Sequence, residues 1–212
     1  MGGRSGRCGV ETAWLDIGCG EEISLRHLEV RPHFDNIALS GADVEVCQRY
    51  SAEVFEAYFV GDLMEGYPQI ESETYDVVLC EQVLEHLPRL DVAIATLERV
   101  LRPGGRLIVG VPIFLPLLAE LRRHLVPRPD AMFRPDLVRG HVQTFSAASF
   151  VAAMGAHSRL RLLEIRGFRI ISGGLLRPLE NHRWWWRFNR RVGKLIPAAC
   201  IEIQAIMEKA GP

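Results

Sequence analysis

Ala13-Trp14-Leu15-Asp16-Ile17-Gly18-Cys19-Gly20 is a short apolar run that stops at two closely spaced glycines. Such a run reads as a buried strand, and the glycines let the backbone turn sharply and approach a ligand closely. Glu21 to Glu29 then reads as a short helix, with acids at the positive end of its dipole. Strand, tight turn and helix in that order begin an alternating α/β chain.

The alternation continues outward from this segment. Asn36–Leu39 reads as a brief strand, and Asp43–Tyr50 as a helix with Ser40–Asp43 as its capping region. Val54–Val60 and Tyr75–Cys80 follow as strands. The second of these, YDVVLC, is continuously apolar, as a strand covered on both faces must be. Asp91–Leu101 carries a helical stripe of Val92, Ile94, Ala95, Leu97 and Leu101, which Pro103-Gly104-Gly105 ends before a strand over Arg106–Val111. Phe114–Val126 reads as a helix, and prolines at 127, 129 and 135 mark a loop, part of a proline-rich lid over 112–145. Ser146 is the expected N-cap of a helix to Met154. Arg159–Ile171 and Ala199–Glu208 read as the last strands, flanking an aromatic, basic helical insert at 175–197. The expected fold is a doubly wound, mostly parallel sheet with an antiparallel last strand. Ligands of such sheets bind beyond the carboxyl ends of the strands, where the strand order switches.

Composition sets the outer bounds. Of 212 residues, 48% are hydrophobic and 24% charged, which excludes disordered, collagen-like and coiled-coil chains. Lys and Arg total 25 against 26 Asp and Glu, a net charge of −1, so no global field attracts DNA or RNA and a nucleic acid would need a local patch. The five cysteines, Cys8, Cys19, Cys47, Cys80 and Cys200, form no C-x-x-C pair, and no H-x-x-x-H pair occurs, so no metal is expected. Cys19, Cys47 and Cys80 have apolar or glycine neighbours and should pack as small hydrophobes. MGGRSGRCGV has no apolar core of a secretory signal. The longest apolar stretch, Leu107–Ala119, is broken by Pro112 and Pro116 and is too short to span a bilayer. A cytoplasmic setting is expected.

Three groups of residues could carry chemistry. The D-x-G-x-G spacing of Asp16, Gly18 and Gly20 lacks the third glycine of the pyrophosphate fingerprint, and Glu21 and Glu22 would repel a phosphate. A cationic ligand suits it better; a turn without ligand is the plain alternative. Glu85-His86 follows the fourth strand, where His86 could take a proton from a hydroxyl or amine, or simply pack or cap. His141 is a second such histidine, with ordering of the lid as its structural alternative. The third group is Asn181-His182-Arg183-Trp184-Trp185-Trp186-Arg187-Phe188-Asn189-Arg190-Arg191. It reads as a helix packing one or two tryptophans on the sheet, as a peripheral membrane element through Trp184–Trp186, or as a surface that stacks RNA bases. Adjacent tryptophans point to different helix faces, so at least one should be exposed or at an interface.

WLDIGCGEE (14–22) resembles the first motif of class I S-adenosylmethionine (SAM)-dependent methyltransferases. YDVVLCEQVLEHL (75–87) and LRPGGRLIVGVP (101–112) are similar to that family's fourth- and fifth-strand motifs, in the same order and spacing across residues 12–112. HVQTFSAASFVAAMGAH (141–157) looks like its segment before the sixth strand, and the whole looks most like a type-11 methyltransferase domain. The resemblance implies one domain over residues 1–212, a Rossmann-like seven-stranded sheet and SAM as cofactor. It further implies that Asp16, Gly18, Cys19 and Gly20 form the loop under the methionine part of SAM. Ser40 falls where relatives hold the ribose with an acid, with Asp43 nearby but inside the following helix. Asp62 matches the acid that accepts from the adenine amino group, Leu63 supplies a backbone contact, and Glu81 and Gln82 line the methyl-donor pocket. His86 is the candidate catalytic residue. The implied reaction moves a methyl to an O or N nucleophile of a small-molecule, lipid-linked or glycan-linked acceptor. Two departures, Glu22 for a third glycine and Ser40 for the acid, leave a non-catalytic binding or partner module as the alternative.

Overall fold

A computed structural model describes residues 11–20, 36–46, 55–114, 142–169, 179 and 182–211. Seven strands form one sheet: β1 (Thr12–Ile17), β2 (Ile37–Asp43), β3 (Ala57–Val60), β4 (Tyr75–Glu81), β5 (Leu101–Pro112), β6 (Arg161–Phe168) and β7 (Glu202–Glu208). Their order is β3-β2-β1-β4-β5-β7-β6. The first five are mutually parallel, and β7 runs antiparallel to both β5 and β6. This is the doubly wound sheet with an antiparallel last strand expected from the sequence. Chain order reverses across the β1–β4 pair, so the connections leaving their carboxyl ends run to opposite sides and leave a crevice there.

The described helices are α1 (Asp91–Val100), α2 (Ala147–His157) and α3 (Arg183–Leu195). Leu15, Ile17, Val78, Cys80, Leu107 and Val109 of the central strands are buried, and α1 lays Ala93, Ile94, Leu97 and Val100 into the same core. Ser146 caps α2 as expected. Its hydroxyl accepts from Ser149 N, while the Ser146 N–H donates to Ser149 Oγ. Such a cap contributes about 1 kcal/mol. No described helix is long and apolar enough to cross a membrane.

Several boundaries differ from the sequence reading. β2 is longer than Asn36–Leu39 and takes in Ser40 to Asp43, which were expected to cap a helix. Parallel pairing with β1 carries it outward, to a register of Ile17 opposite Ala42. Val44 and Glu45 form a bend, so no helix begins at Asp43. β5 absorbs Pro103-Gly104-Gly105 because Gly104 N donates to Lys209 O at 2.9 Å and Lys209 N to Gly105 O at 3.0 Å, pinning the excursion to the end of β7. β3, β6 and β7 are each shorter than expected. The expected helices at 21–29 and 114–126, most of the lid, Cys47 and His141 lie outside the described residues.

Candidate functional site

Four loops leaving the carboxyl ends of β1 to β4 enclose a cavity of about 260 Å³. The β1 corner contributes Ile17 and Gly18, and the end of β2 contributes Asp43 and Val44. The loop after β3 brings Asp62, Leu63 and Tyr67, and the loop after β4 brings Gln82, Val83 and His86. Among the described lining residues there is no lysine or arginine, while there are two aspartates. The cavity therefore carries negative potential and favours a cation or a ligand rich in hydrogen-bond donors.

Each loop is held by its own backbone chemistry. Gly18 has φ +76°, and its N–H donates to Ala42 O at 2.8 Å, tying the corner to β2. A Cβ at Gly18 would collide with Val83 Cγ2, so glycine is required there for space as well as for conformation. Asp43 Oδ2 accepts from Gly20 N at 2.8 Å, and Oδ1 from Val44 N at 2.7 Å. One bond to each oxygen leaves further lone-pair directions on this carboxylate. Asp62 Oδ1 accepts from Met64 N at 2.9 Å and caps the 3-10 turn Leu63–Glu65. Tyr67 donates its hydroxyl to Gly61 O at 2.9 Å across the same loop. Gln82 turns the chain out of β4 at φ +55°, held by its N–H donating to Gly110 O at 2.9 Å. His86 ends the next 3-10 turn, with Nε2 3.8 Å from the buried Glu85 carboxylate.

Three carboxyls lie buried behind this rim. Burial, reinforced by Glu81 and Asp43, pushes Asp16 up to about 7. Burial also raises Glu81 to about 7, against the lowering effect of a 2.6 Å hydrogen bond from Gln204 Nε2. Glu85 is likewise pushed up to about 7, first by burial, then by Glu81 and Glu202. Near neutral pH these groups share protons with solvent more readily than ordinary carboxyls do.

Gly18, Asp62, Leu63, Gln82 and His86 thus come together from three loops, as the sequence reading required. Five expected residues do not line the cavity with them. Ser40 is inside β2 rather than after it, opposite Leu15 and Ala57, and its hydroxyl bonds Tyr75. The Cys19 side chain turns to the other face of the sheet, packing with Leu39 and Phe55 as a small hydrophobe. Glu81 directs its carboxylate over Gly110 toward Gln204, away from the cavity. Asp16 is buried beneath the β1 corner, and Gly20 reaches the site through its bond to Asp43. Ile17, Asp43, Val44, Tyr67, Val83 and Leu87 line the cavity without having been assigned to the site from the sequence. The signal for Asp43 was its place at the strand terminus, hidden by misjudging the length of β2.

Residues 15–109 match the family model described as a methyltransferase domain. A ubiquinone biosynthesis O-methyltransferase from Saccharophagus degradans is 30% identical over 97 residues, covering 45% of this chain and 41% of that protein. The chain thus matches about two fifths of the length of such relatives. Among solved structures, a SAM-dependent methyltransferase from Methanosarcina mazei superposes with a TM-score of 0.59 at 16% identity, covering 96% of this chain and 95% of that one. Another from Archaeoglobus fulgidus gives 0.57 at 16% identity, covering 94% and 86%. At these identities the structural likeness is one of fold.

Proposed function

We propose that the chain is a class I SAM-dependent methyltransferase, that the cavity at the β1–β4 switch holds SAM and that the chain transfers its methyl to an oxygen or nitrogen nucleophile. The carrying observation is the convergence of Gly18, Asp43, Asp62 and Gln82 on one cavity that has two aspartates among its described lining residues. This donor set fits the group: two carboxylates suit a sulfonium with ribose hydroxyls and an adenine amine, and the side-chain-free Gly18 keeps the floor open. The volume is near the lower end of the roughly 300–1,000 Å³ common for small-molecule sites.

Bound SAM supplies an electrophilic methyl on a positively charged sulfur. Asp43 accepts from the ribose hydroxyls through its remaining lone pairs. This acid replaces Ser40 in that role and removes one of the two grounds for a non-catalytic module. Asp62 accepts from the adenine amine, with Leu63 packing beside the base. Gln82 and His86 face the acceptor side, where alignment of the nucleophile supplies most of the rate. His86 takes the proton released by the nucleophile, with Glu85 behind it. The relatives' naming as O-methyltransferases favours an oxygen nucleophile on a small, lipid-linked or glycan-linked acceptor.

Calorimetric titration tests the cofactor reading. Folded protein should give saturable heat with SAM and with S-adenosylhomocysteine, and Asp62→Ala should weaken both by about tenfold, the loss of one charge-assisted hydrogen bond. Absence of heat at millimolar SAM would overturn it.

A further inference from the structure

α3 carries Arg183, Arg187, Arg190, Arg191 and Lys194 and no acidic residue. At 100° per residue these five cations fall within an arc of about 100°. Trp184, Phe188 and Leu195 occupy the next arc of roughly 40° on the same helix. The inner face is elsewhere: Asn189 and Gly193 are buried, and a Cβ at Gly193 would collide with Gly167 O, so the helix lies directly on the backbone of β6. The basic and apolar arcs therefore both face outward. Trp184 is 57% exposed, Phe188 49%, Leu195 80% and the adjoining Ile196 55%. His182, Trp184, Trp185 and Phe188 touch in series, Trp184 edge-on to Trp185 at 5.7 Å and Trp185 stacked on Phe188 at 5.9 Å, so the aromatics form one contiguous cluster.

We infer that α3 docks the protein on an anionic bilayer surface, with the Trp184–Phe188–Leu195–Ile196 stripe sunk to the headgroup–acyl boundary and the basic arc against lipid phosphates. Charge complementarity selects the occupant. A second copy of the chain would bring five like charges against five. A nucleic acid would use the arginines and stack on the rings but has no use for exposed Leu195 and Ile196, whereas an interfacial helix needs aliphatic and aromatic residues on one arc and cations on the next. Beside the helix, a cavity of about 300 Å³ is lined by Arg190, Lys194, Phe168 and the Arg166–Glu164 ion pair, paired at 2.7 Å, and could seat a headgroup phosphate. Gly167 is next to the carboxyl end of β6, which is parallel to β1 and β4, so α3 sits at the same rim of the sheet as the cofactor cavity. If that cavity is the methyl-transfer site, its acceptor arrives from the membrane; the docking itself does not depend on that reading.

The test is flotation of the full chain with phosphatidylcholine vesicles, with and without a quarter of phosphatidylglycerol, alongside filter binding to poly(U). Strong co-flotation with the anionic vesicles only, weakening steeply with salt and accompanied by a blue shift of tryptophan emission, is expected. Each of Arg187→Ala and Arg191→Ala should lower vesicle partitioning about fivefold. Phe188→Ala with Leu195→Ala should abolish the blue shift and lower partitioning by about tenfold or more. Both positions are exposed, so the variants should keep the wild-type unfolding midpoint, and the arginine variants test the idea separately if one does not. Equal flotation with both vesicle types, no flotation, or poly(U) binding without flotation would overturn the proposal. SAM calorimetry on the same samples reads the cofactor proposal independently.

Discussion

Leaving β1, the backbone turns at Gly18 with φ +76°; leaving the neighbouring parallel strand β4, it turns at Gln82 with φ +55°. The two corners are in contact, and both line the cavity. At the first, glycine removes the cost of a left-handed conformation and also clears the space that Val83 fills. At the second, a residue with a full side chain accepts a conformation that costs roughly 1–2 kcal/mol, held by its bond to Gly110 O. The corners interlock, with relief on the β1 side and strain on the β4 side. Strain that persists at a cavity wall points to a side chain whose position is needed there.

The harshest way to break this arrangement is Gly18→Ala, which meets both the positive φ and the Val83 methyl. We expect a loss of about 3 kcal/mol in urea unfolding, combining backbone strain with overpacking. Adding Val83→Ala should recover the steric part only; full recovery, or none, would show that the corners do not interlock. Next comes Asp43→Asn, which keeps the shape but removes the charge that receives Gly20 N. SAM affinity should fall by about 2 kcal/mol, roughly thirtyfold. Ser40→Ala should leave that affinity unchanged in the same calorimetric comparison, since Ser40 lies in the sheet.

A smaller effect separates the corners by pH. Asp16 under the β1 corner has its folded pKa raised by burial to about 7, from an ordinary value of 3.8. Its protonated form is favoured by folding, so its contribution is full below the unfolded pKa, falls as pH rises toward 7 and is lost above it. Between pH 6 and 7.5 this single group should lower unfolding free energy by about 1 kcal/mol. Asp16→Asn should flatten that part of the profile, and an unchanged slope would shift the assignment to Glu81 and Glu85. The smallest expected effect is Gln82→Gly, which relieves the β4 corner but adds unfolded-chain entropy. We expect a net gain of about 0.5 kcal/mol in stability together with slower methyl transfer. A stability loss would mean that the side chain, not the backbone, holds the corner.

Much of this was legible before folding. The apolar runs at β1 and β4 and the glycine corner at Gly18 lie in continuous segments whose local signals agree with their tertiary roles. Ser146 as a cap is equally local. Ser40-Gly41-Ala42 shows where local reading fails. Small residues there read as a cap and turn, yet Gly41 is in mid-strand beneath two rings: a Cβ on it would lie 2.9 Å from Phe55 Cε1 and 2.9 Å from Tyr58 Cδ2. Smallness served packing from a segment fourteen or more residues away. That mistake placed Ser40 at the rim of the cavity, where Asp43 stands.

The sequence alone determined the strand–helix alternation and the Asp62 corner, because each is written in contiguous residues with a fixed period or spacing. The tertiary structure decided which carboxylates face the cavity and which are buried behind it. It also decided which arc of α3 stays exposed, because Gly193 can rest on Gly167 only with the basic and apolar arcs turned outward. Those outcomes depend on sheet register and on side chains meeting from distant strands, and no local pattern carries either.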